Sequence, residues 1–273
     1  MLSVLLALLL SSPALAFKAS KASDAELVAV MADGPLDDRV DAITVIGDRK
    51  LREAAPALLE IVKTEELVLR KKALAALEEM AAEELTEACI HVLKNDADKG
   101  LRGKAMGILE DRASDEVAEV MGWALAHDSE AGNRRKAAII IGKRAWASQA
   151  QVLIDSGITD ADSRVAQESW KALLRLGDPA HRALAHAALA ESADSAIREI
   201  IAKYLGEDPK PGDLEPLLLA LDDGDLDVRV LAARSLAKLG DKSAGPKLRE
   251  KANAATTEKE VEEFGKAASA LGS

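Results

Sequence analysis

The sequence predicts an all-α protein, a right-handed α-solenoid of about seven helical hairpins plus terminal capping helices. The 273 residues are 48% hydrophobic and 30% charged but only 2% aromatic, so the core must consist of Ala, Leu, Ile and Val. Alanine is the strongest helix former, whereas β-sheets favour aromatic and β-branched side chains. Apolar residues recur at spacings of three and four, and this helical pattern itself repeats about every 32 residues.

The clearest copy of the repeat runs from Asp227 to Asp241, where helically spaced apolar residues are followed by Gly240-Asp241. Glycine followed by a turn residue is typical of a helix end. Arginine, or the residue in its place, stands at positions 39, 70, 102, 134, 166, 198 and 229, at intervals of 31 or 32. This regular spacing predicts one helix of each repeat at these positions.

Each period also has room for a second helix. Pro56 and Pro246 follow the turns and stand where a second helix would begin, a position that tolerates proline because the N–H there has no partner. A lone helix near residues 24–31 would precede the first pair, and another near 257–271 would follow the last. Because a hairpin covers its apolar side only by stacking on the next, we expect residues 17–273 to form a single domain.

The motif V-R-x-x-A-x-x-x-L-x-x-L-G-D, which Val228–Asp241 matches, followed by a second helix that starts with proline, resembles short HEAT repeats. The variety it resembles is the one named after phycobilisome (bilin) lyases. The resemblance covers nearly all of the chain after residue 16 and is strongest over 225–250. It implies that charged residues at the start of the first helices bond between adjacent repeats. The predicted stacking ladder consists of Arg39, Arg70, Arg102, Arg134, Arg198, Asp227 and Arg229.

The first sixteen residues have the features of a signal peptide. Met1–Leu10 is a short apolar run, Ser11-Ser12-Pro13 interrupts it, and Ala14-Leu15-Ala16 supplies the small residues of a cleavage site. The run is shorter than the roughly 20 apolar residues of a membrane span. We expect cleavage after Ala16, a periplasmic or secreted protein, and no stable membrane insertion after cleavage. An uncleaved anchor is the alternative, since no Lys or Arg precedes the run.

The acidic balance of the chain limits its partners. Its formal net charge is −11, whereas proteins that bind nucleic acid need basic surfaces to neutralise phosphates. Anionic membrane surfaces are disfavoured for the same reason. We therefore expect a protein partner, whose identity the sequence leaves open, and no nucleic acid.

The sequence predicts no catalytic, metal or cofactor site. No two of His91, His127, His181 and His186 stand three or four residues apart, so they form no helical metal pair. None is followed by Glu, unlike the His-Glu pairs of the HEAT-repeat deoxyhypusine hydroxylases. Cys89 lies on an apolar stripe, which favours a buried side chain over a reactive thiol. The prediction is no enzyme; a cofactor-handling or lyase-like enzyme of the bilin-lyase HEAT family is the alternative.

An alignment of the second helices places one column of residues on the outside of the solenoid. The candidate partner-binding residues are Glu60, His91, Trp123, Gln151 and, one turn beyond Trp123, His127. Large aromatic side chains beside polar groups are typical interface anchors. A buried, structural Trp123 is the competing interpretation, and Trp146 and Trp170 fit core or turn packing. The predicted function is a non-catalytic scaffold or adaptor that binds a protein along the solenoid face.

Overall fold

The computed structural model describes residues 17–272; the predicted signal peptide lies outside them. Within this range every regular element is helical, with sixteen α-helices and several short 3-10 turns, which confirms the all-α fold class. The chain divides into two compact units, with the division between Arg112 and Ala113, and each unit is described by itself. The single domain over 17–273 stays a prediction.

The described part of the first unit consists of three antiparallel helix pairs: α1 with α2, α3 with α4, and α5 with α6. Its helices are α1 (Asp24–Asp33), α2 (Leu36–Arg49), α3 (Ala55–Thr64), α4 (Leu67–Glu79), α5 (Leu85–Asn95) and α6 (Lys99–Glu110). Aliphatic side chains such as Leu27, Ile46, Leu58 and Leu77 are fully buried between the pairs. A core of this composition is the one that the low aromatic content predicts.

The described part of the second unit consists of five such pairs: α7 with α8, α9 with α10, α11 with α12, α13 with α14, and α15 with α16. The helices are α7 (Asp115–His127), α8 (Ala131–Arg144), α9 (Ala150–Thr159), α10 (Ser163–Arg175), α11 (Pro179–Glu191), α12 (Ser195–Leu205), α13 (Leu214–Ala220), α14 (Leu226–Leu239), α15 (Gly245–Ala254) and α16 (Glu258–Ala270). Within this unit each even-numbered helix from α8 to α14 packs on the next even-numbered one.

The even-numbered helices are the first helices of the predicted repeats, and the odd-numbered helices from α3 onward are the second helices. The predicted order of helices is confirmed. In the structure, however, each second helix packs mainly against the first helix of the following repeat, and not against the first helix of its own repeat. The predicted lone helices α1 and α16 therefore have partners, α2 and α15, because short connections make consecutive helices antiparallel neighbours.

Two glycines near the ends of first helices lie inside those helices, where they contact a neighbouring helix. Gly47 is within α2, where an added Cβ would stand 3.0 Å from the Cα of Ala76 in α4. Gly142 is within α8, where an added Cβ would stand 2.9 Å from the Cα of Ala172 in α10. These glycines permit first helices to approach each other closely.

The residues that end these helices adopt left-handed backbone conformations. Lys50 after α2 has a φ of 56°, and Ala145 after α8 has a φ of 50°. After α14, Gly240 occupies the corresponding place with a φ of 74°, as the sequence predicts. Gly177, which follows α10, has the same φ of 74°. Glycine therefore follows the end of some first helices and permits close helix contact in others.

Candidate functional site

Arginines near the start of the first helices connect consecutive turns of the solenoid. Arg134 donates from Nη1 to the carbonyl oxygen of Asp128 at 3.0 Å, in the turn before α8. Its Nε and Nη2 donate to the two carboxylate oxygens of Asp160 at 2.8 and 2.9 Å, in the turn after α9. Both side chains are largely buried. Burial alone would raise the pKa of Asp160, but the hydrogen bonds from Arg134 and from the Asp162 N–H lower it.

Other predicted members of the stacking ladder bond in the same way within their own unit. The carboxylates that accept from Arg39, Arg70, Arg198 and Arg229 are those of Glu65, Asp96, Asp223 and Glu260. Arg102 donates to the carbonyl oxygens of Asp96 and Ala97 at 2.8 and 3.2 Å. Asp227 differs from these arginines because it is exposed; it accepts at 2.5 Å from Nζ of Lys259, which lies one repeat further along the chain.

The acidic turns of the second unit also cap the helices that follow them. Asp223 accepts from the Asp225 N–H at 2.8 Å, and Asp225 accepts from the Asp227 N–H at 2.8 Å. Asp160 and Asp162 repeat this arrangement before α10. Because a carboxylate at a helix N-terminus satisfies N–H groups that have no helical partner, these acids have a structural role.

In the first unit, two of the candidate partner-binding residues lie on second helices. Glu60 on α3 is exposed, and Lys63 Nζ donates to it at 3.2 Å. His91 on α5 is half-buried, and its carbonyl oxygen accepts from Asn95 Nδ2 at 2.9 Å. Their role in binding stays a prediction.

In the second unit, the structure brings Trp123 and His127 together on α7. The rings stack with centroids 5.3 Å apart and an angle of 18° between their planes. His127 Nδ1 donates to the Trp123 carbonyl oxygen at 2.9 Å, which identifies Nδ1 as the protonated nitrogen because a carbonyl oxygen can only accept. Trp123 is half-buried and so is not part of the closed core, whereas Trp170 is 2% exposed. Gln151 on α9 is exposed and donates to Asp155 at 2.9 Å.

Three exposed apolar side chains lie on consecutive second helices of the second unit. Ile158 on α9 is 66% exposed, Leu184 on α11 is 40% exposed and Leu219 on α13 is 69% exposed. A groove of about 350 Å³ between α9 and α11 is lined by Ile158, Leu184 and the buried Trp170, and Trp170 Nε1 donates to the Gly157 carbonyl oxygen at 3.0 Å. We call the outward side of α9, α11 and α13 with this groove the α11 face.

A buried polar cluster lies beneath the other edge of this face. Asp213, which is fully buried, accepts from Arg182 at 2.7 and 2.5 Å and from His186 Nε2 at 2.8 Å. Burial would raise the pKa of Asp213, but hydrogen bonds from Arg182 and from the Lys210 N–H lower it. The residues 32 positions before and after Arg182 are Ala150 and Leu214, so the neighbouring repeats have an apolar residue where this repeat has an arginine. A charged residue at such a position was the sequence signal that could have identified this cluster.

A groove of about 460 Å³ adjoins the cluster between α11 and α13. His186, Leu189, Pro216 and Leu219 are among its lining residues. His186 Nδ1 makes no hydrogen bond within the part of the chain that the structure describes. The α11 face therefore has an apolar groove on one side of α11 and a mixed groove on the other.

Glu199, Asp225 and Asp227 form a group whose carboxylate oxygens could hold a cation, since the oxygens lie within 4.8 Å of one another. Burial and the neighbouring acids raise the pKa of Glu199. Asp225 already caps α14, and Lys259 neutralises Asp227. Helix capping by Asp225 and the surface ion pair of Asp227 therefore account for these two acids.

Cys89 on α5 is fully buried, and burial raises the pKa of its thiol to about 12. A thiol in such surroundings is not a nucleophile at neutral pH. The interpretation of Cys89 as a small core side chain agrees with this position.

The fold is that of a HEAT-like repeat protein. The chain is similar to the solved structure of YibA from Escherichia coli, with 18% identity and a TM-score of 0.55 over 93% of this chain and 94% of that one. It is also similar to the CpcE–CpcF complex of phycocyanin lyase from Nostoc, with 16% identity, a TM-score of 0.42, and coverage of 96% and 98%. Human deoxyhypusine hydroxylase shares 14% identity, with a TM-score of 0.39 and coverage of 83% and 99%. No family model and no curated protein sequence matches the chain.

The prediction that the chain is no enzyme is corrected by these similarities. The phycocyanin lyase and the deoxyhypusine hydroxylase are enzymes by name. Because one fold carries unrelated functions, the absence of familiar catalytic motifs does not exclude catalysis. The likenesses establish the HEAT-like fold and transfer no activity to this chain. No helix among residues 17–272 has the length and apolar character required to cross a membrane.

Proposed function

We propose that this chain is a scaffold or adaptor of the periplasm or the extracellular space that binds a protein partner along its second helices. The supporting observation is that Ile158, Leu184 and Leu219 lie exposed on three consecutive second helices of one unit. Exposed apolar side chains grouped beside grooves are typical of protein interaction sites. Isolated apolar residues on a surface need no such explanation.

The stacked pair of Trp123 and His127 extends this surface on α7. The ring stacking and the hydrogen bond to the Trp123 carbonyl oxygen hold both side chains in one geometry, although His127 is exposed. A preordered aromatic side chain loses little conformational entropy when a partner binds. Trp123 is therefore a second contact point for the proposed partner.

The location outside the cytoplasm is part of the proposal and is supported by the signal-like Met1–Ala16. Mass spectrometry of the protein purified separately from the cytosol and from the cell envelope or medium tests it. We expect the chain outside the cytoplasm to begin at Phe17. A chain found only in the cytosol with its first sixteen residues attached would refute this part of the proposal.

Site-specific photo-crosslinking tests the binding surface. p-Benzoylphenylalanine is placed at Ile158 or Leu219 on second helices, and at Val68 or Val261 on first helices as controls of similar apolar character, 39% and 50% exposed. Irradiation in the source cells should give a discrete crosslinked species from Ile158 and Leu219. Crosslinks from the control positions alone, or from none of the positions, would contradict the proposal.

The same preparations test the alternative of a cofactor-handling protein. A chromophore that co-purifies with the chain and absorbs visible light, combined with no crosslinked protein, would favour a bilin-lyase-like function. A crosslinked protein that is lost after Leu219→Asn or Trp123→Ala supports the scaffold.

A further inference from the structure

The exposed charged side chains of α9, α11 and α13 are all acidic. The helices α9, α11 and α13 carry Asp155, Glu191 and Glu215 as exposed acids, and Arg182 as their one Lys or Arg. Arg182 is turned inward to the buried Asp213, and Arg198, which lines the mixed groove, pairs with Asp223, so neither arginine presents an unpaired charge on this surface. The face is therefore apolar with an acidic border.

These acids differ from those on the first helices of the same unit. Glu191 and Glu215 make no side-chain hydrogen bond or ion pair with another described residue, and the Asp155 carboxylate accepts only from the neutral amide of Gln151. By contrast, Glu168 on α10 pairs with Arg135 and Lys171, and Glu263 on α16 pairs with Arg234. The negative charge of Glu168 and Glu263 is thus neutralised within the chain, whereas that of Glu191 and Glu215 is left available on the α11 face.

We infer that the α11 face binds an amphipathic helix of a partner protein whose apolar side is bordered by Lys or Arg. This inference rests on the proposed function and specifies the chemistry of the partner. Apolar side chains one helical turn apart would enter the groove lined by Ile158, Trp170 and Leu184, and cover Leu219. Basic side chains beside them would meet Asp155, Glu191 and Glu215.

The secondary structure of the face favours a helical partner. An extended peptide gains affinity by pairing its backbone with a sheet edge, and α9, α11 and α13 present no such edge because their backbone groups bond within each helix. A helix brings its own backbone hydrogen bonds and packs side chains into grooves. The exposed side chains of Ala183 and Ala187 on α11 are small, so a second helix can approach closely.

Charge also distinguishes this partner from a second copy of the chain. Two copies that met through this face would bring the acids of both together, and each chain has a net charge of −11. Like charges across an interface oppose association, whereas complementary charges accelerate it. A basic partner is the occupant that the surface fits.

Binding of designed peptides to the purified full chain tests the inference. The probe is a fluorescent 20-residue helix of Leu, Ala and Lys with Leu at helical spacing. The controls are the same peptide with Glu in place of Lys, and an isomer of equal composition whose Leu residues follow no helical spacing. Fluorescence anisotropy should detect binding of the first peptide alone, and the affinity should fall as salt is raised.

Substitutions locate the binding. Ile158→Asn and Leu219→Asn should each weaken the affinity about tenfold, as expected for the loss of one buried aliphatic side chain. Glu191→Gln with Glu215→Gln should weaken it several-fold at low salt and have little effect at high salt. Val261→Asn on α16 and Glu79→Gln on α4, both exposed and distant in sequence, are the matched controls and should leave the affinity unchanged. Thermal unfolding of each variant verifies that it is folded.

Equal binding of the Lys and Glu peptides, or equal affinity in all variants, would overturn the inference. A dimer that Leu219→Asn dissociates would identify a second copy as the occupant and would also overturn it. If no peptide binds but crosslinks form at Leu219 in cells, the partner chemistry is wrong and the scaffold stands. If neither occurs, both proposals fail.

Discussion

The contact between α8 and α10 gives a prediction that follows directly from the geometry of Gly142. A Cβ added at this position would lie 2.7 Å from the Cβ of Ala172 and 2.9 Å from its Cα. Carbon atoms in contact are normally about 3.5–4.0 Å apart. Because the obstacle includes the backbone of α10, it cannot rotate away, and Gly142→Ala must push the two helices apart by about 1 Å.

The change in the free energy of unfolding caused by Gly142→Ala follows from two opposing effects. Inserting a methyl group into a well-packed contact typically costs about 1–3 kcal/mol. Replacing glycine by alanine within a helix gains about 1 kcal/mol from helix propensity. The matched control is Gly265→Ala on α16, where an added Cβ meets nothing within 4 Å and only the gain applies. We therefore expect Gly142→Ala to be less stable than Gly265→Ala by about 1–3 kcal/mol.

Circular dichroism at 222 nm during heating and during guanidinium titration measures this difference. For a chain of this size, each 1 kcal/mol shifts the Tm by about 2–4 °C. Gly265→Ala should unfold at or above the temperature of the unmodified chain, and Gly142→Ala should unfold below Gly265→Ala. Equal stability of the two variants would refute the idea that Gly142 serves close helix packing.

Three further predictions concern the ladder, the buried cluster and the thiol. Arg134→Met should lower the free energy of unfolding, measured by guanidinium titration, by about 3 kcal/mol because it leaves the buried Asp160 without its partner. Arg135→Met removes a half-exposed ion pair and should lower it by less than about 1 kcal/mol. The pKa of Asp213 is lowered in the folded chain, so this carboxylate should contribute its full share to the free energy of unfolding above a pH of about 4. That contribution should be lost as the pH falls through the folded-state pKa. In urea unfolding measured from pH 7 to pH 3, Asp213→Asn should therefore show a weaker dependence of stability on pH than the unmodified chain. Cys89 should not react with Ellman's reagent in the folded chain and should react fully in guanidinium; rapid labelling of the folded chain would contradict its burial.

The arginine spacing predicted a ladder, but the sequence could not identify the acceptors. Arg134 and Asp160 are 26 residues apart, and Arg229 and Glu260 are 31 apart, because the acid stands in one case in the turn after a second helix and in the other within α16. Asp227 has the motif position of a ladder residue, yet it bonds to Lys259 on the surface. Which carboxylate meets an arginine depends on the lengths of the turns and the placement of the helices.

The candidate binding surface was predictable in part. The alignment of second helices placed Gln151 and, as one of two interpretations, Trp123 on the outside of the solenoid; Gln151 is exposed and Trp123 is half-buried, and their role in binding stays a prediction. No sequence pattern favoured Ile158 and Leu184 as binding residues, because an apolar residue in an amphipathic helix is as a rule expected in the core. Their exposure depends on the groove between α9 and α11, which no property of either helix alone determines.

The sequence by itself determined the helices and their order, because apolar spacing and helix propensity act over a few neighbouring residues and the period of about 32 repeats them along the chain. Only the tertiary structure decided which helices pair, that Gly47 and Gly142 lie at close contacts between helices, and that Arg182 is turned toward a buried Asp213. The physical reason is distance along the chain. Local interactions form a helix, whereas the space left for a Cβ, the partner of a buried charge and the exposure of an apolar side chain depend on a neighbouring helix some 30 residues away.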